Sequence, residues 1–247
     1  MVIDILTIFP EMVSPALSES LLGKAVEEEL LSINIHDLRD FTDDKHSTVD
    51  DAPFGGGPGM VMKVEPVYRG IKSCIERHSD LSHRIIVTSA SGKRFEQRTA
   101  EELSLEKHLI VVCGRYKGID ERVMSLFDVE EFSIGDYVLT GGEFAALVMV
   151  EATARLLPGY MSKFEAAETD SFTSGLLGHP EYTRPQEFNG LEVPEVLVSG
   201  HHENIRKFRR TKSLEKTLKN RPEMLDTADL TNEDRQIISD LSTRVSE

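Results

Sequence analysis

Short apolar runs alternate along the chain with longer stretches in which apolar residues recur every three or four positions. The short runs are typical of strands and the longer period of amphipathic helices. The alternation predicts an α/β fold in which a parallel sheet carries helices on both faces. Predicted strands cover residues 2–9, 31–38, 84–90, 108–113 and 129–133; predicted helices cover roughly 14–29, 65–78, 94–104, 119–127 and 143–157, the first beginning at Ser14-Pro15.

Glycine-bearing loops follow three of the predicted strands, at residues 89–92, 113–118 and 134–142. Parallel strands place such loops along one edge of a sheet, where α/β folds bind ligands. Glycine also allows a close approach of the backbone to a ligand. Each loop taken alone is equally typical of an ordinary tight turn, but the three together favour a cofactor site.

The predicted loop at residues 39–60 is unusually long for a compact domain and is rich in aspartate, arginine and histidine. Its glycines do not form a dinucleotide-binding fingerprint, because Met60 stands where the third glycine would be required. No phosphate-binding Walker signature is present in the chain. The loop is either a surface segment with unusual backbone angles or a contact to RNA or substrate.

The predicted helix at 143–157 is apolar on nearly all sides, which indicates burial against several neighbours, as at a subunit interface. Arg155 near its end either extends to solvent or holds an anion or carboxylate. Pro158-Gly159 ends the helix. The polar stretch 160–175 reads as a flexible linker between a domain at 1–159 and a helical domain at 176–247.

The net charge of the 247-residue chain is −15, which by itself disfavours a nucleic-acid partner. Residues 201–221, however, contain eight basic residues against two acidic ones, a local net charge of +6. Local charge guides an approaching ligand more than the total does. This cluster is either a solvated helix face or an anion-binding surface.

Cys74 and Cys113 both lie in apolar patterns and are expected to be buried thiols. Two such cysteines argue against a disulfide framework or a zinc site and suit a reducing cytoplasm. The N-terminus lacks the basic start of a signal peptide, and no apolar run is long enough to span a membrane. A cytoplasmic protein without a membrane contact is therefore expected.

Six motifs in a fixed order carry a family resemblance across nearly the whole chain. They are DDAPFGGGPGM at 50–60, GRYKGIDERV at 114–123, SIGDYVLTGGE at 133–143, ETDSF at 168–172, YTRP at 182–185 and SG at 199–200. With these motifs the chain resembles the bacterial tRNA (guanine-N1)-methyltransferases, the TrmD type of the knotted SPOUT methyltransferases.

The resemblance implies a SPOUT parallel sheet with a C-terminal trefoil knot, plus a small, mostly helical C-terminal domain. It implies a homodimer whose active sites are built from both subunits. The implied reaction transfers a methyl group from S-adenosyl-L-methionine to N1 of the guanosine immediately 3′ of the tRNA anticodon. The resemblance further implies a dependence on Mg²⁺, although no metal-ligand spacing is present in the sequence.

Residue roles follow from the matching positions. The resemblance assigns Asp170 as the general base and Arg155 as its catalytic partner. It assigns Arg184 and His202 to RNA, together with Arg206 and Arg209 of the basic cluster. The cofactor residues are Ala90, Gly114, Ile134, Gly135, Asp136, Tyr137, Val138, Leu139 and Gly141. The chain departs from the family pattern at Lys117, where an acid is usual, at Ala90, where proline is usual, and at Glu181, where histidine is common.

Two other classes of protein fit parts of the sequence. A non-catalytic RNA-binding protein would use the basic cluster but would not need three glycine loops at strand ends. A nucleotide-dependent oxidoreductase would use a doubly wound sheet, but the chain lacks its phosphate fingerprint and its acidic ribose partner.

Overall fold

The computed structural model describes residues 1–161 and 170–245. The chain forms two compact units, Met1–Ser162 and Lys163–Glu247. Residues 162–169 of the predicted linker lie outside the described part of the chain.

The first unit alternates strands and helices. Its elements are β1 (Val2–Thr7), α1 (Pro10–Leu17), α2 (Ser20–Glu27), β2 (Ser32–Asp37), a 3₁₀ turn (Leu38–Phe41), β3 (Asp50–Asp51), β4 (Val61–Met62), α3 (Val64–Arg77), β5 (His83–Arg94), α4 (Gln97–Ser104), β6 (His108–Cys113), α5 (Arg122–Leu126), β7 (Val129–Ser133) and α6 (Glu143–Ala154).

Five strands form one parallel sheet in the order β2-β1-β6-β5-β7, which confirms the predicted fold class. Successive side chains of a strand point to opposite faces. In β6, for example, Leu109 and Val111 join a core with α1, α2, α4 and α6, whereas Ile110 and Val112 join a core with α3 and α5. Helices thus cover both faces of the sheet, and loops follow the carboxyl ends of the strands.

The predicted helix at 14–29 is wrong, because the structure has two helices there. The first begins at Pro10, and Pro15 lies inside it rather than at its start. The chain breaks at Ser18 and resumes at Ser20, whose φ of 59° lies in the left-handed region. A Cβ on Gly23 would meet the Ser18 carbonyl oxygen at 2.3 Å, so glycine is required where the second helix packs on the end of the first.

Two predicted loops contain regular structure. The segment 39–60 begins in the 3₁₀ turn, and Asp50–Asp51 pairs antiparallel with Val61–Met62. The predicted loop at 89–92 lies within β5, which continues to Arg94. The pairing of β5 with β7 is nevertheless interrupted between Thr88 and Lys93. The residues between them therefore do not take part in the regular hydrogen-bonded pairing of the two strands.

A polar cluster is buried around Asp4, in the middle of β1. Asp4 is fully buried and accepts hydrogen bonds from Asn34, His36 and His108. Burial alone would raise the pKa of the Asp4 carboxyl, but these bonds together lower it well below its usual range.

The second unit is mostly helical and contains one short hairpin. Its described elements are β8 (Glu187–Phe188), β9 (Leu191–Glu192), α7 (Glu195–Val198), α8 (His202–Asn220), a 3₁₀ turn (Pro222–Asp226) and α9 (Asn232–Val245). Among the described residues, no helix combines the length and apolar character needed to cross a membrane.

Helices α8 and α9 are joined by a partly buried ion pair. Arg210 donates two hydrogen bonds of 2.9 Å to the Asp234 carboxylate. That carboxylate also accepts from the backbone N–H and hydroxyl of Thr231 and caps the start of α9. The Arg210 guanidinium, followed by the Thr231 contacts, lowers the pKa of Asp234 to about 2 despite its burial.

Candidate functional site

A cavity of about 380 Å³ opens at the carboxyl edge of the parallel sheet. Its walls come from the irregular part of β5 at Ser89–Ser91 and from the segments that follow β6 and β7, Gly114–Gly118 and Ile134–Gly142. The lining mixes backbone groups, small residues and aromatic rings, as in sites for small ligands. The sequence-predicted loops therefore do meet in one place.

Direct backbone contacts hold two of these segments together. Gly142 N–H donates to the Gly114 carbonyl at 2.8 Å, and Arg115 forms an isolated antiparallel bridge with Gly141. A Cβ on Gly142 would lie 1.7 Å from the Thr88 hydroxyl oxygen, so no larger residue fits. Thr88 in turn accepts a hydrogen bond of 3.1 Å from Gly114 N–H. The segment after β7 consequently passes across the end of β5 to reach the segment after β6.

A buried ion pair anchors the same junction. The Glu143 carboxylate, 1% exposed at the start of α6, accepts bonds of 3.2 Å from Arg115 Nε and 2.9 Å from the Thr7 hydroxyl. The Arg115 guanidinium also lies 4.2 Å from the centre of the Phe9 ring. A carboxylate taken out of water needs such partners. Glu143 and Arg115 therefore tie both glycine segments to β1.

Eight of the nine sequence-predicted cofactor residues line this cavity. They are Ala90, Gly114, Ile134, Gly135, Tyr137, Val138, Leu139 and Gly141. Asp136 does not line it, because its side chain is 91% exposed and pairs with Arg94 at 3.0 Å.

Several lining residues were not singled out from the sequence. Thr88, Tyr116, Glu121 and Glu131 all face the cavity. Thr88 reads in the sequence as one more residue of a buried strand. Its hydroxyl becomes important only because Gly114 and Gly142 both pack on it.

Lys117 also lines the cavity and extends beneath the glycine-rich turn. A Cβ on Gly59 would lie 3.3 Å from the Lys117 side chain. Gly55, Gly56, Gly57 and Gly59 all have positive φ, a conformation that glycine adopts without strain. The turn thus bends over Lys117 and leaves Phe54 fully exposed.

The second unit has its own cavity, of about 340 Å³, beside the first half of α8. Asp170 lines it together with His202, Arg206 and Arg209, all four of which were predicted as site residues. His179 and Arg210 also line this cavity and add two more basic side chains to its wall. Asp170 therefore lies among groups suited to phosphate or polar bases.

The remaining two predicted residues lie outside both cavities. Arg184 is exposed in the second unit, immediately before the hairpin. Arg155 is exposed at the residue that follows α6 in the first unit. The structure thus describes Arg155 and Asp170 in separate units.

The fold and the cavity define the class first: an α/β protein with a cavity of small-ligand size at the carboxyl ends of its parallel strands, followed by a mostly helical unit with a local cluster of basic residues on α8. The family model for tRNA (Guanine-1)-methyltransferase TrmD matches residues 1–227. The chain belongs to this family.

Three relatives illustrate the similarity, and each is named tRNA (guanine-N(1)-)-methyltransferase. The protein of Geobacter metallireducens is 50% identical over 245 residues, 98% of both chains. That of Dictyoglomus turgidum is 47% identical over 245 residues, 99% of this chain and 98% of its own. That of Geobacter sulfurreducens is 50% identical over 238 residues, 96% of both chains.

Proposed function

We propose that this protein transfers a methyl group from S-adenosyl-L-methionine to N1 of the guanosine immediately 3′ of a tRNA anticodon. The observation that carries the proposal is the joint presence of family membership over residues 1–227 and a cavity of about 380 Å³ built from the family's glycine loops. Neither a plain RNA-binding protein nor an oxidoreductase explains both.

The cavity fits the cofactor in size and in the character of its walls. Its volume lies within the range of roughly 300–1,000 Å³ that is usual for small-ligand sites. Gly114 and Gly141 line the cavity without side chains, so the backbone itself forms part of the wall, and Ile134, Val138 and Leu139 supply apolar contact. When bound, S-adenosyl-L-methionine supplies a methyl group that its sulfonium charge has already activated.

The protein's chemical task is then to remove a proton. Guanine N1 carries a proton and is a poor nucleophile while it does. We assign its removal to the Asp170 carboxylate, and a positioned base of this kind contributes roughly 10²–10⁴-fold. The placement of Asp170 beside His179, His202 and Arg206 supports this role, because these groups suit a polar base and its phosphates.

Negative charge grows on guanine O6 as the N1 proton leaves. A guanidinium that meets this oxygen stabilises the charge, and we assign that role to Arg155. The exposure of Arg155 at the end of α6 leaves the group accessible to a substrate.

The tRNA is bound through the second unit in this proposal. Arg206 and Arg209 lie one helical turn apart on α8, beside His202, and Arg184 provides a further exposed cation. Anticodon loops are single-stranded and present unstacked bases to protein pockets. Arginine pairs well with phosphate oxygens, so these residues suit the RNA backbone.

We also infer a homodimer and a trefoil knot. Exposed apolar side chains are concentrated in this part of the chain: Phe144 and Val148, four residues apart on α6, are 57% and 48% exposed, and Tyr137, Val138 and Leu139, shortly before α6, are exposed as well. A second copy of this chain would cover this apolar patch. The passage of residues 134–142 across the end of β5 supports the knot.

We further propose a cytoplasmic location and a dependence on Mg²⁺, which the family resemblance implies. Cys74 and Cys113 are both unpaired and buried, which suits a reducing compartment such as the cytoplasm, where tRNA is modified. Mg²⁺ prefers carboxylate oxygens, and Glu121 and Glu131 are available at the cavity. Lys117 lines the same cavity, and its positive charge opposes the binding of a cation there.

The direct test incubates the purified protein with labelled S-adenosyl-L-methionine and an unmodified tRNA transcript, then maps the product. Methylation at N1 of the guanosine beside the anticodon is expected, and a transcript with adenosine at that position should accept no label. Binding of tRNA without transfer would favour the RNA-binding alternative. Binding of a nicotinamide cofactor instead would favour the oxidoreductase.

Replacement of Arg209 by alanine is expected to weaken tRNA binding without changing cofactor affinity. Loss of one phosphate contact should lower the slope of log affinity against log salt by roughly 0.7–0.9. Filter binding at several salt concentrations measures both quantities. Arg235→Ala is the control, because Arg235 is exposed on α9 and does not line the cavity. Equal effects of the two substitutions would show that Arg209 acts only through net charge.

A further inference from the structure

Four ionisable side chains converge around the middle of β1, and none of them lines the cofactor cavity. Asp4 comes from β1, His36 from β2, His108 from the first position of β6, and His78 from the residue that follows α3. In the register of the sheet, Asp4 pairs with Asn34 on one side and Ile110 on the other. Three strands and one helix end thus supply a single cluster.

The two oxygens of Asp4 have different surroundings. Oδ1 accepts hydrogen bonds from His36 Nε2 at 2.7 Å and Asn34 Nδ2 at 3.0 Å. Oδ2 lies 2.7 Å from His108 Nε2 and 3.8 Å from His78 Nε2. One oxygen is therefore held in place by His36 and Asn34, while the other faces two imidazole nitrogens.

The imidazoles on the Oδ2 side lack a full set of partners. His78 Nε2 and His108 Nδ1 are buried without a hydrogen bond among the described residues. A buried polar atom without a partner costs roughly 1–3 kcal/mol, so such atoms need an explanation. For His78 the unpaired nitrogen points toward Asp4 Oδ2 at a distance too long for a hydrogen bond.

We propose that Asp4, His78 and His108 form a binding site for a zinc-type divalent transition metal ion. Their ligand atoms all lie within 4.8 Å of one another. Bonds of about 2.0–2.1 Å in a tetrahedral site place ligand atoms roughly 3.3 Å apart, between the 2.7 Å and 3.8 Å observed around Oδ2. The ion would replace the direct contact of Oδ2 with His108 Nε2 and would bridge the longer gap between Oδ2 and His78 Nε2.

The ligand chemistry selects the metal. Two imidazole nitrogens and one carboxylate suit Zn²⁺ or Co²⁺, whereas Mg²⁺ and Ca²⁺ prefer oxygen ligands. Neutral imidazole carries one proton, so His108 keeps it on Nδ1 when Nε2 binds the ion. His36 and Asn34 orient the carboxylate through its other oxygen, as outer partners do in known metal sites. His78 is 23% exposed, which gives the ion a route from solvent and leaves a fourth position for water.

The function of such an ion would be structural. It would link β1 to β6, whose ligands are separated by 104 residues, and to the end of α3. This differs from the expectation, based on the two cysteines, that the chain has no zinc site. It is independent of the proposed methyl transfer, because none of the three ligands lines the cofactor cavity.

The test uses the tag-free, full-length protein after removal of metal with a chelator. Titration with Zn²⁺ in a calorimeter should give one site per chain with micromolar or tighter affinity, and the melting temperature should rise. His78→Ala should weaken this site at least tenfold; the position is partly exposed, so the variant is expected to fold. His83→Ala is the matched control, because His83 is exposed and its ring lies 6.2 Å from that of His108 without joining the cluster.

Co²⁺ provides an independent readout of the ligand set. The visible spectrum of the Co²⁺ complex should show a four-coordinate ion without the near-ultraviolet band of a thiolate ligand. A thiolate band would instead assign the ion to Cys74 with Asp4 and His36, whose ligand atoms also lie within 4.8 Å of one another, and would overturn the proposed set. Absence of zinc binding, or equal binding by His78→Ala and His83→Ala, would overturn the site.

Discussion

Replacement of Asp170 by alanine is expected to lower the rate of methyl transfer roughly 10²–10⁴-fold, the contribution of a positioned general base. Affinity for S-adenosyl-L-methionine should not change, because the residues that line the proposed cofactor cavity all belong to the first unit, whereas Asp170 belongs to the second. Single-turnover rates with saturating tRNA measure the loss, and calorimetry measures cofactor affinity.

Asp170→Asn sharpens this prediction, since it keeps the size of the side chain and removes its basicity. Both variants should bind tRNA within a few-fold of the parent. Ser174→Ala is the control, because Ser174 lines the same cavity without carrying a group that can take up a proton at neutral pH. Near-normal turnover by Asp170→Asn would remove the general-base assignment. Equal losses in Asp170→Asn and Ser174→Ala would indicate a structural role for the cavity wall.

Buried strands were the most accurately predicted elements. β6 and β7 begin and end at the predicted residues, because each is a short run bounded by strong turn or charge signals. The ends of the helices were predicted less accurately than those of the strands. The break after α1 depends on the contact of Gly23 with the Ser18 carbonyl, which no local pattern reveals.

The proposed cofactor cavity was predictable in outline because glycine loops near the ends of parallel strands share one edge of the sheet. The side-chain contacts that fix the shape of the cavity could not be predicted from the sequence. Thr88, Arg115 and Glu143 are far apart in sequence and look like ordinary strand, loop and helix residues. Only the sheet order, with β5 between β6 and β7, brings them together.

The histidine cluster around Asp4 was still harder to predict from the sequence. A metal motif is recognised in a sequence by regular spacing, whereas these ligands come from residues 4, 78 and 108 of three separate elements. Counting cysteines therefore argued against a zinc site, and the parallel register that aligns the strands was needed to suggest one.

Replacement of Glu143 by glutamine is expected to destabilise the first unit by about 3–5 kcal/mol, the usual effect of breaking a buried ion pair. Glutamine keeps the volume and the acceptor for Thr7, but it leaves the Arg115 guanidinium, only 15% exposed, without its carboxylate. Denaturant unfolding measures the free energy. Cofactor affinity should fall at least tenfold, because Arg115 and Glu143 hold the segments that carry Gly114 and Gly141.

The control is Glu102→Gln on α4. Glu102 pairs with Arg98, but both side chains are largely exposed, and such a pair contributes about 0–1 kcal/mol. A double variant that combines Glu143→Gln with Arg115→Met should be more stable than the sum of the single effects predicts, since it leaves no unpaired buried charge. If Glu143→Gln and Glu102→Gln cost the same, or if the double variant is additive, the ion pair does not hold the two loops together. In that case the glycine contacts at Thr88 alone would have to set the shape of the cavity.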